Sequence, residues 1–136
     1  MSDKLQKYLA AGTEAAKPEQ IEVPVDGEKW SVRRLTTIDI RRCYDVAFND
    51  DGTAKETFNE IDAMIVRATE HDFPWNNKEL LLAYKCTNKN ELPPRLLNDP
   101  DHYAVLSKAV RKFQETKDAL LKEAKNSSGE TAKQAG

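Results

Sequence analysis

The sequence predicts a mainly α-helical domain, a compact bundle of about four to five helices with one N-terminal β-hairpin packed on it. Apolar residues recur at helical spacing between residues 54 and 113. The strong strand-like alternation falls in residues 20–35. A length of 136 residues suits a single core. We therefore expect an arm or short helix with a linker at 1–19, one helical domain with the hairpin at 20–124, and a disordered tail at 125–136.

Composition narrows the class of protein. Charged residues make up 32% of the chain and the net charge is -2, which gives no long-range field towards nucleic acid or an anionic membrane. The longest apolar run, Leu80 to Tyr84, has five residues, whereas a membrane-spanning helix needs about 20. Cys43 and Cys86 lie far apart and no secretory pattern begins the sequence. These features predict a cytosolic protein with reduced thiols and no membrane partner.

The first predicted helix covers residues 3–11. Ser2 is placed to cap it and Gly12 to end it, while Leu5 and Leu9 share a face with Tyr8. An isolated helix this short is marginal in water. We expect it either to dock through its leucines or to remain a mobile arm.

The hairpin prediction depends on its turn and its alternation. Asp26-Gly27 is a pair that two-residue hairpin turns favour. Pro24 cannot donate a ladder hydrogen bond, so its strand is expected at an edge or with that position facing outward. A lone hairpin is marginal, and Trp30 is the expected anchor on the helices. The alternating apolar positions are Ile21, Val23, Val25, Trp30 and Val32.

Two capping boxes are expected to open the next helices. Thr36 with Asp39 opens the second helix, which ends in the polar turn Asn49 to Gly52. Thr53 with Glu56 opens the third. The third helix is expected to carry its core stripe on Phe58, Ile61, Ile65 and Ala68.

Proline and asparagine punctuate the rest of the chain. Pro74 stops the third helix, and Asn76 is expected to cap a helix from Lys78 to Cys86. A short regular piece follows at Pro94 to Leu97, and the final helix starts at Asp99-Pro100, an N-cap followed by Pro. Its apolar face comprises Tyr103, Leu106, Val110 and Phe113.

Several residues could in principle carry chemistry. The histidines and nearby carboxylates could hold zinc or iron if their turns met, yet no HExxH or CxxC spacing joins them. Cys43 lies on an apolar stripe, typical of a small buried side chain. The turn at Asn49 to Gly52 lacks the ligand spacing of a calcium loop. We therefore predict no catalytic residue, no metal and no cofactor. The residues considered for a metal site are His71, Asp72, Asp99, Asp101 and His102.

A family resemblance appears in the second half of the chain. The segments FNEIDAMIVRATEHDFPWNNKELLLAY, ELPPRLL and DPDHYAVLSKAVRKF resemble the XkdN-like family of phage tail assembly chaperones. The resemblance covers about residues 20–113. Its most specific points are Leu80, Leu81, Ala83, Tyr84, Leu96, Leu97, Pro100, Tyr103 and Leu106. The chain departs from the family pattern at Lys85-Cys86, where the family tends to have Gly, and at Pro93-Pro94.

The resemblance implies a non-enzymatic assembly factor of the host bacterial cytoplasm. Such a chaperone keeps the long tape measure protein soluble while tail tube subunits polymerise around it, so the expected partners are the tape measure protein, possibly the tail tube protein, and further copies of this chain. The residues we expect to bind a partner are Phe73, Trp75, Phe113, Leu120, Leu121, Arg41 and Arg42. Phe73 and Trp75 could equally plug the core, because aromatic residues beside a Pro turn often do so.

An alternative function comes from the arginine pairs. Arg33-Arg34 and Arg41-Arg42 flank the junction between the hairpin and the second helix and could contact phosphate as a small nucleic-acid-binding regulator. Asp39 and Asp45 dilute this patch, and no recognition-helix signature accompanies it. We therefore favour a protein partner over nucleic acid.

Overall fold

The computed structural model describes residues 2–13 and 18–114. Six α-helices, one 3-10 helix and a two-stranded antiparallel sheet make up these residues, which confirms the predicted fold class. In chain order they are α1 (Asp3–Thr13), β1 (Gln20–Val25), β2 (Glu28–Arg33), α2 (Thr37–Ala47), α3 (Glu60–Thr69), α4 (Lys78–Ala83), the 3-10 helix (Lys89–Glu91), α5 (Pro93–Leu96) and α6 (Pro100–Phe113). Leu120, Leu121 and the predicted tail lie outside the described residues.

Helix α3 lies at the centre of the fold. It packs against α2, α6, β2, α5 and the 3-10 helix, and seven of its ten residues are buried. The helix starts at Glu60 because the side chain of Asn59 accepts a hydrogen bond from the backbone N–H of Ile61 at 2.9 Å.

The predicted capping role of Thr53 is wrong. Its backbone N–H and hydroxyl both donate to Asp51 Oδ1, at 2.9 and 2.6 Å, so Thr53 closes a turn. Ala54 then forms an isolated antiparallel bridge with Phe48. Phe58 therefore lies in an irregular segment before α3 and not on its core stripe.

The hairpin has the predicted turn. Asp26 and Gly27 take φ values of 52° and 79°, the left-handed pair that suits a two-residue hairpin loop. The register pairs Val25 with Glu28 and Val23 with Trp30. One face packs on α3 and α6, burying Val23, Val25, Trp30 and Val32. Pro24 is exposed, as expected, and Ile21 remains 38% exposed at the open end.

Helix α2 begins with the predicted capping box. The Thr36 hydroxyl accepts from the backbone N–H of Asp39 at 3.1 Å, and the Asp39 carboxylate accepts from that of Thr36 at 2.9 Å. The same carboxylate accepts from Arg33 at 2.9 Å and from Arg67 at 2.7 Å. Burial raises the pKa of Asp39, but the two guanidinium groups and Thr36 outweigh it and hold that pKa well below its usual range. One carboxylate thus joins β2, α2 and α3.

Helix α4 starts at Lys78 as predicted but is shorter than predicted. Asn77, not Asn76, is the cap, since its side chain accepts from the backbone N–H of Leu80 at 3.0 Å. The helix ends at Ala83, and Lys85 takes a φ of 56°, the left-handed conformation that usually ends a helix with glycine. The backbone N–H of Cys86 then bonds to the carbonyl of Leu81 at 2.9 Å.

Helix α6 closes the core. Asp99 caps it as predicted, accepting from the backbone N–H of Asp101 at 2.9 Å. Leu106 and Val110 are fully buried, while Tyr103 and Phe113 pack partly buried against the same cluster. The next residue, Gln114, accepts from the backbone N–H of Leu35 at 2.5 Å through its side-chain oxygen, which fixes the end of α6 to the junction between the hairpin and α2.

A buried polar pair joins α6 to α3. The Tyr103 hydroxyl donates to Asp62 Oδ1. Burial raises the pKa of Asp62, although the bond from Tyr103 acts in the opposite direction. The pair satisfies a carboxylate that the helical core would otherwise leave without a partner.

Candidate partner-binding surfaces

The aromatic corner between α3 and α4 belongs to the core. Trp75 is 2% exposed, and its indole N–H donates to the hydroxyl of Thr69 at 2.9 Å. Its ring lies 5.8 Å from that of Trp30, and the ring of Phe73 lies 4.9 Å from Trp30. Phe73 is half-buried. Of the two aromatic residues expected to bind a partner, Trp75 therefore has almost no exposed surface and Phe73 is only partly exposed.

The other apolar candidates lie at and beyond the end of α6. Phe113 is half-buried and packs on the core. Leu120 and Leu121 fall outside the described residues. Their proposed role in binding stays a prediction.

The arginine patch is divided between the interior and the surface. Arg33 is 16% exposed and pairs with Asp39, with Glu70 3.9 Å from its second terminal nitrogen. Arg41 and Arg42 are exposed on α2. Since Arg33 is neutralised within the fold, the cations available to a partner at this position are mainly those of α2.

Neither histidine lies in a metal-binding cluster. His71 Nε2 lies 2.9 Å from the hydroxyl of Ser31, and the backbone N–H of Ser31 donates to Asp72 at 2.9 Å. His102 lies 3.8 Å from a carboxylate oxygen of Asp26. Within residues 2–13 and 18–114, no group of three or more His, Cys, Asp or Glu side chains is placed to hold a metal ion.

Cys43 lies inside the interface between α2 and α3. It is 2% exposed, and burial raises the pKa of its thiol to about 11. The thiol is therefore protonated at neutral pH, whereas a nucleophilic cysteine needs its thiolate.

An open groove with both apolar and polar lining residues, the polar ones being Lys55, Asn59, Glu60 and Arg111, lies beside the end of α2. It has a volume of about 450 Å³, and its apolar lining comprises Ala47, Phe48, Ala54, Phe58, Ile61 and Met64. The irregular segment between α2 and α3 forms one side of the groove, and Arg111 of α6 reaches it from the other side. The bridge between Phe48 and Ala54 holds this segment in place. We call this feature the Phe58 groove.

A second, more polar cavity continues from the Phe58 groove. It has a volume of about 580 Å³ and shares Phe48 and Lys55 with the groove. The ring of Tyr44 stacks on that of Phe48 with centroids 4.3 Å apart, and Tyr44 remains 46% exposed. Two carboxylates, Asp45 and Asp50, also line it. The combined surface offers aromatic faces flanked by these two carboxylates and by Lys55.

Helix α1 presents a second uncovered apolar surface. Its first turn is capped as predicted, because the Ser2 hydroxyl accepts from the backbone N–H of Leu5 at 3.1 Å, and it continues through Gly12 to Thr13. Every residue of the helix is exposed. The three apolar residues that share one face are Leu5, Tyr8 and Leu9, which are 48%, 65% and 55% exposed.

Sequence reasoning missed the groove because it misplaced the start of α3. Placing Phe58 on a helix assigned it to the core, whereas the structure leaves it half-buried at the groove. The available signal was Asn59, a strong N-cap residue followed by Glu60 and Asp62, which are favourable in the first turn of a helix.

Comparison with known proteins supports the fold. No protein-family description matches the sequence, and no curated protein matches it. Among solved structures, the crystal structure of the protein YqbN, a structural-genomics target, is similar, with a TM-score of 0.56 and 19% sequence identity. The similarity covers 74% of this chain and 87% of YqbN. At this identity the likeness concerns the fold alone. Among the described residues, no helix combines the length and hydropathy needed to cross a bilayer.

Proposed function

We propose that this chain is a phage tail assembly chaperone, a non-enzymatic factor of the host bacterial cytoplasm that binds the tape measure protein and keeps it soluble during tail tube assembly. The observation that carries the proposal is the position of Lys85. The sequence departs from the XkdN-like pattern there, where the family tends to have Gly. The backbone at Lys85 nevertheless has a φ of 56°, a conformation for which glycine is the usual residue. A left-handed backbone at the position where the family tends to have Gly supports the proposal.

The other motif positions fit the same interpretation. Leu97 and Leu106 are buried, and Leu80, Leu81 and Tyr103 pack around the same core. Asp99 and Pro100 start α6 in the way that the resembling segment requires. The shared residues therefore lie at helix boundaries and core contacts. These positions maintain the fold of a binding protein.

The Phe58 groove is the surface best suited to a helical, apolar client. An amphipathic helix binds such a groove by inserting apolar side chains at intervals of three or four residues. The groove and the adjoining cavity together expose parts of Tyr44, Phe48 and Phe58. A client with many apolar segments engages many copies, so that weak single contacts add up along its length and still allow release when tube subunits arrive.

Co-expression with a tape measure protein tests the proposal. With the wild-type chain, the soluble fraction of the tape measure protein is expected to rise. Affinity capture of the chain is expected to retain the tape measure protein. Phe58→Asp is expected to abolish both effects by placing a charge in the groove. Leu82→Asp is the matched control, because Leu82 is 77% exposed on α4, away from the groove.

The outcomes separate the function from the surface. If both variants rescue solubility as the wild-type chain does, the groove is not the client site. Unchanged client solubility with the wild-type chain, and no client retained on it, would contradict the chaperone proposal itself.

A further inference from the structure

We infer that α1 of one copy binds the Phe58 groove and adjoining cavity of a second copy of this chain. The contact would place the uncovered apolar face of α1 on the aromatic side chains of the groove and the adjoining cavity. Helix α1 offers Leu5, Tyr8 and Leu9 on one face, all about half exposed or more. This spacing of apolar side chains along one helical face is the pattern that grooves of this kind bind.

Charge favours the same pairing. Lys4 and Lys7 accompany the apolar face of α1, and its one acidic residue is Asp3 in the first turn. The cavity beside the groove is lined by two exposed carboxylates, Asp45 and Asp50, and by one cation, Lys55, which donates to the backbone carbonyl of Asp45. Lysines next to the apolar face would therefore approach carboxylates next to the aromatic rings, which aids orientation and association.

The position of α1 favours a second copy over the same copy. Pro18 and Thr36 line one cavity, so the arm leaves the domain near the start of α2. The groove lies near Ala47 and Phe48, at the other end of this 11-residue helix, about 16 Å away at 1.5 Å per residue. Every residue of α1 is exposed in the structure, so α1 does not lie in the groove of its own copy.

A small helix in a groove predicts weak association. Interfaces that bury less than about 1,200 Å² in total are typical of transient contacts. Two copies exchanging arms, or a row of copies each binding the next, would form at high local concentration. Where the groove is also the client site, client and neighbouring arm compete for it; this last step alone rests on the proposed function.

Methionine labelling tests the contact in the full-length chain. The chain contains two methionines, Met1 and Met64, and Met64 lines the groove. One sample carries ¹³C-methyl methionine. A second sample, without the isotope, carries a nitroxide on Ala10→Cys in α1, away from the apolar face of the helix. The native thiols of Cys43 and Cys86 are buried and do not compete for the label. In the mixture, the Met64 methyl signal, identified by its loss in Met64→Leu, is expected to broaden increasingly with concentration.

Two variant pairs sharpen the test. Leu9→Asp in the nitroxide chain is expected to remove the broadening, whereas Leu82→Asp, at a still more exposed leucine on α4, leaves it unchanged. Lys4→Glu with Lys7→Glu is expected to weaken association at least about tenfold. Asp45→Lys with Asp50→Lys in the isotope-labelled chain is expected to restore it.

Each other outcome overturns the inference. Broadening found only when isotope and nitroxide are in one chain, and independent of concentration, means that the arm binds its own groove. Absence of broadening, or broadening that survives Leu9→Asp, means that α1 does not use its apolar face there. If client solubility is rescued while Met64 is unaffected, the contact between copies fails and the proposed function stands.

Discussion

Two aromatic regions of this molecule differ in what covers them. At the corner between α3 and α4, Trp30, Phe73 and Trp75 lie in mutual contact, and the hairpin closes over them. At the end of α2, Tyr44 and Phe48 stack on each other but remain open to solvent beside Phe58. The residue types are alike in the two regions, so composition does not decide which one is a surface.

The difference arises from hydrogen bonds as much as from packing. The indole N–H of Trp75 has a partner in Thr69, whose hydroxyl donates in turn to the carbonyl of Ile65 at 2.6 Å. A buried indole with a satisfied N–H is stable in a core. The open region instead has carboxylates and a lysine around its rings, and these groups keep it solvated. A covered cluster stabilises the fold, whereas an open one is free to bind.

The largest effect is expected from the covered cluster. Trp75→Ala removes a side chain that is 2% exposed and leaves Thr69 without its donor. The free energy of unfolding is expected to fall by about 3 to 5 kcal/mol, measured by urea denaturation. Trp75→Phe keeps most of the volume and is expected to cost about half as much. A loss below about 1 kcal/mol for Trp75→Ala would show that this corner is not part of the core.

A smaller effect is expected from the charged link between the hairpin and the helices. Asp39→Asn leaves Arg33 and Arg67 without their carboxylate. The substitution is expected to lower the free energy of unfolding by about 2 kcal/mol at pH 7. Because the pKa of Asp39 is lower in the folded state, its stabilisation is present above the unfolded value of about 3.9 and is lost as the pH falls below it. The difference in the free energy of unfolding between wild type and variant should therefore be smaller at pH 3 than at pH 7 by roughly 1 kcal/mol. A difference that does not change with pH would argue against an ionised Asp39 in this role.

The open groove is expected to contribute less to stability. Phe58→Asp should lower the free energy of unfolding by about 1 kcal/mol or less, since Phe58 is half-buried outside a helix. Its effect on client solubility should nevertheless be complete. A stability loss as large as that of Trp75→Ala would remove the contrast between the two regions, and would assign Phe58 to the core.

The smallest effect lies at the end of α4, outside both regions. Lys85→Gly is expected to raise the free energy of unfolding by about 0.5 to 1 kcal/mol, because glycine adopts a φ of 56° without the steric cost that lysine carries. Lys85→Ala serves as the control and should give no gain. Equal effects of the two substitutions would mean that the left-handed conformation does not limit stability there.

Local signals in the sequence predicted the elements that depend on local chemistry. The Thr36–Asp39 capping box, the Asp-Gly turn and the Asp99-Pro100 helix start are set by neighbouring residues, and each is confirmed. The start of α3 was wrong because Thr53 and Asn59 are both capable caps, and the choice between them follows from the bridge between Phe48 and Ala54.

The candidate site depends on that same non-local contact. Moving Phe58 out of the helix turns a core position into a groove position. Conversely, the burial of Trp75 depends on a hairpin that precedes it by some forty residues, as the bonds from Ser31 to His71 and Asp72 show. The spacing of residues along the chain does not show which of the two aromatic regions is covered by another element.

The position of the hairpin between α3 and α6 has a consequence for synthesis. Its apolar face is made early, yet α6, which covers part of it, is the last described element to leave the ribosome. A nascent chain that ends before Pro100 therefore displays Val23 and Val25 until the final helix arrives. We expect protease sensitivity in the hairpin of ribosome-stalled chains to fall once α6 has emerged, and a hairpin already protected before that point would contradict this order of assembly.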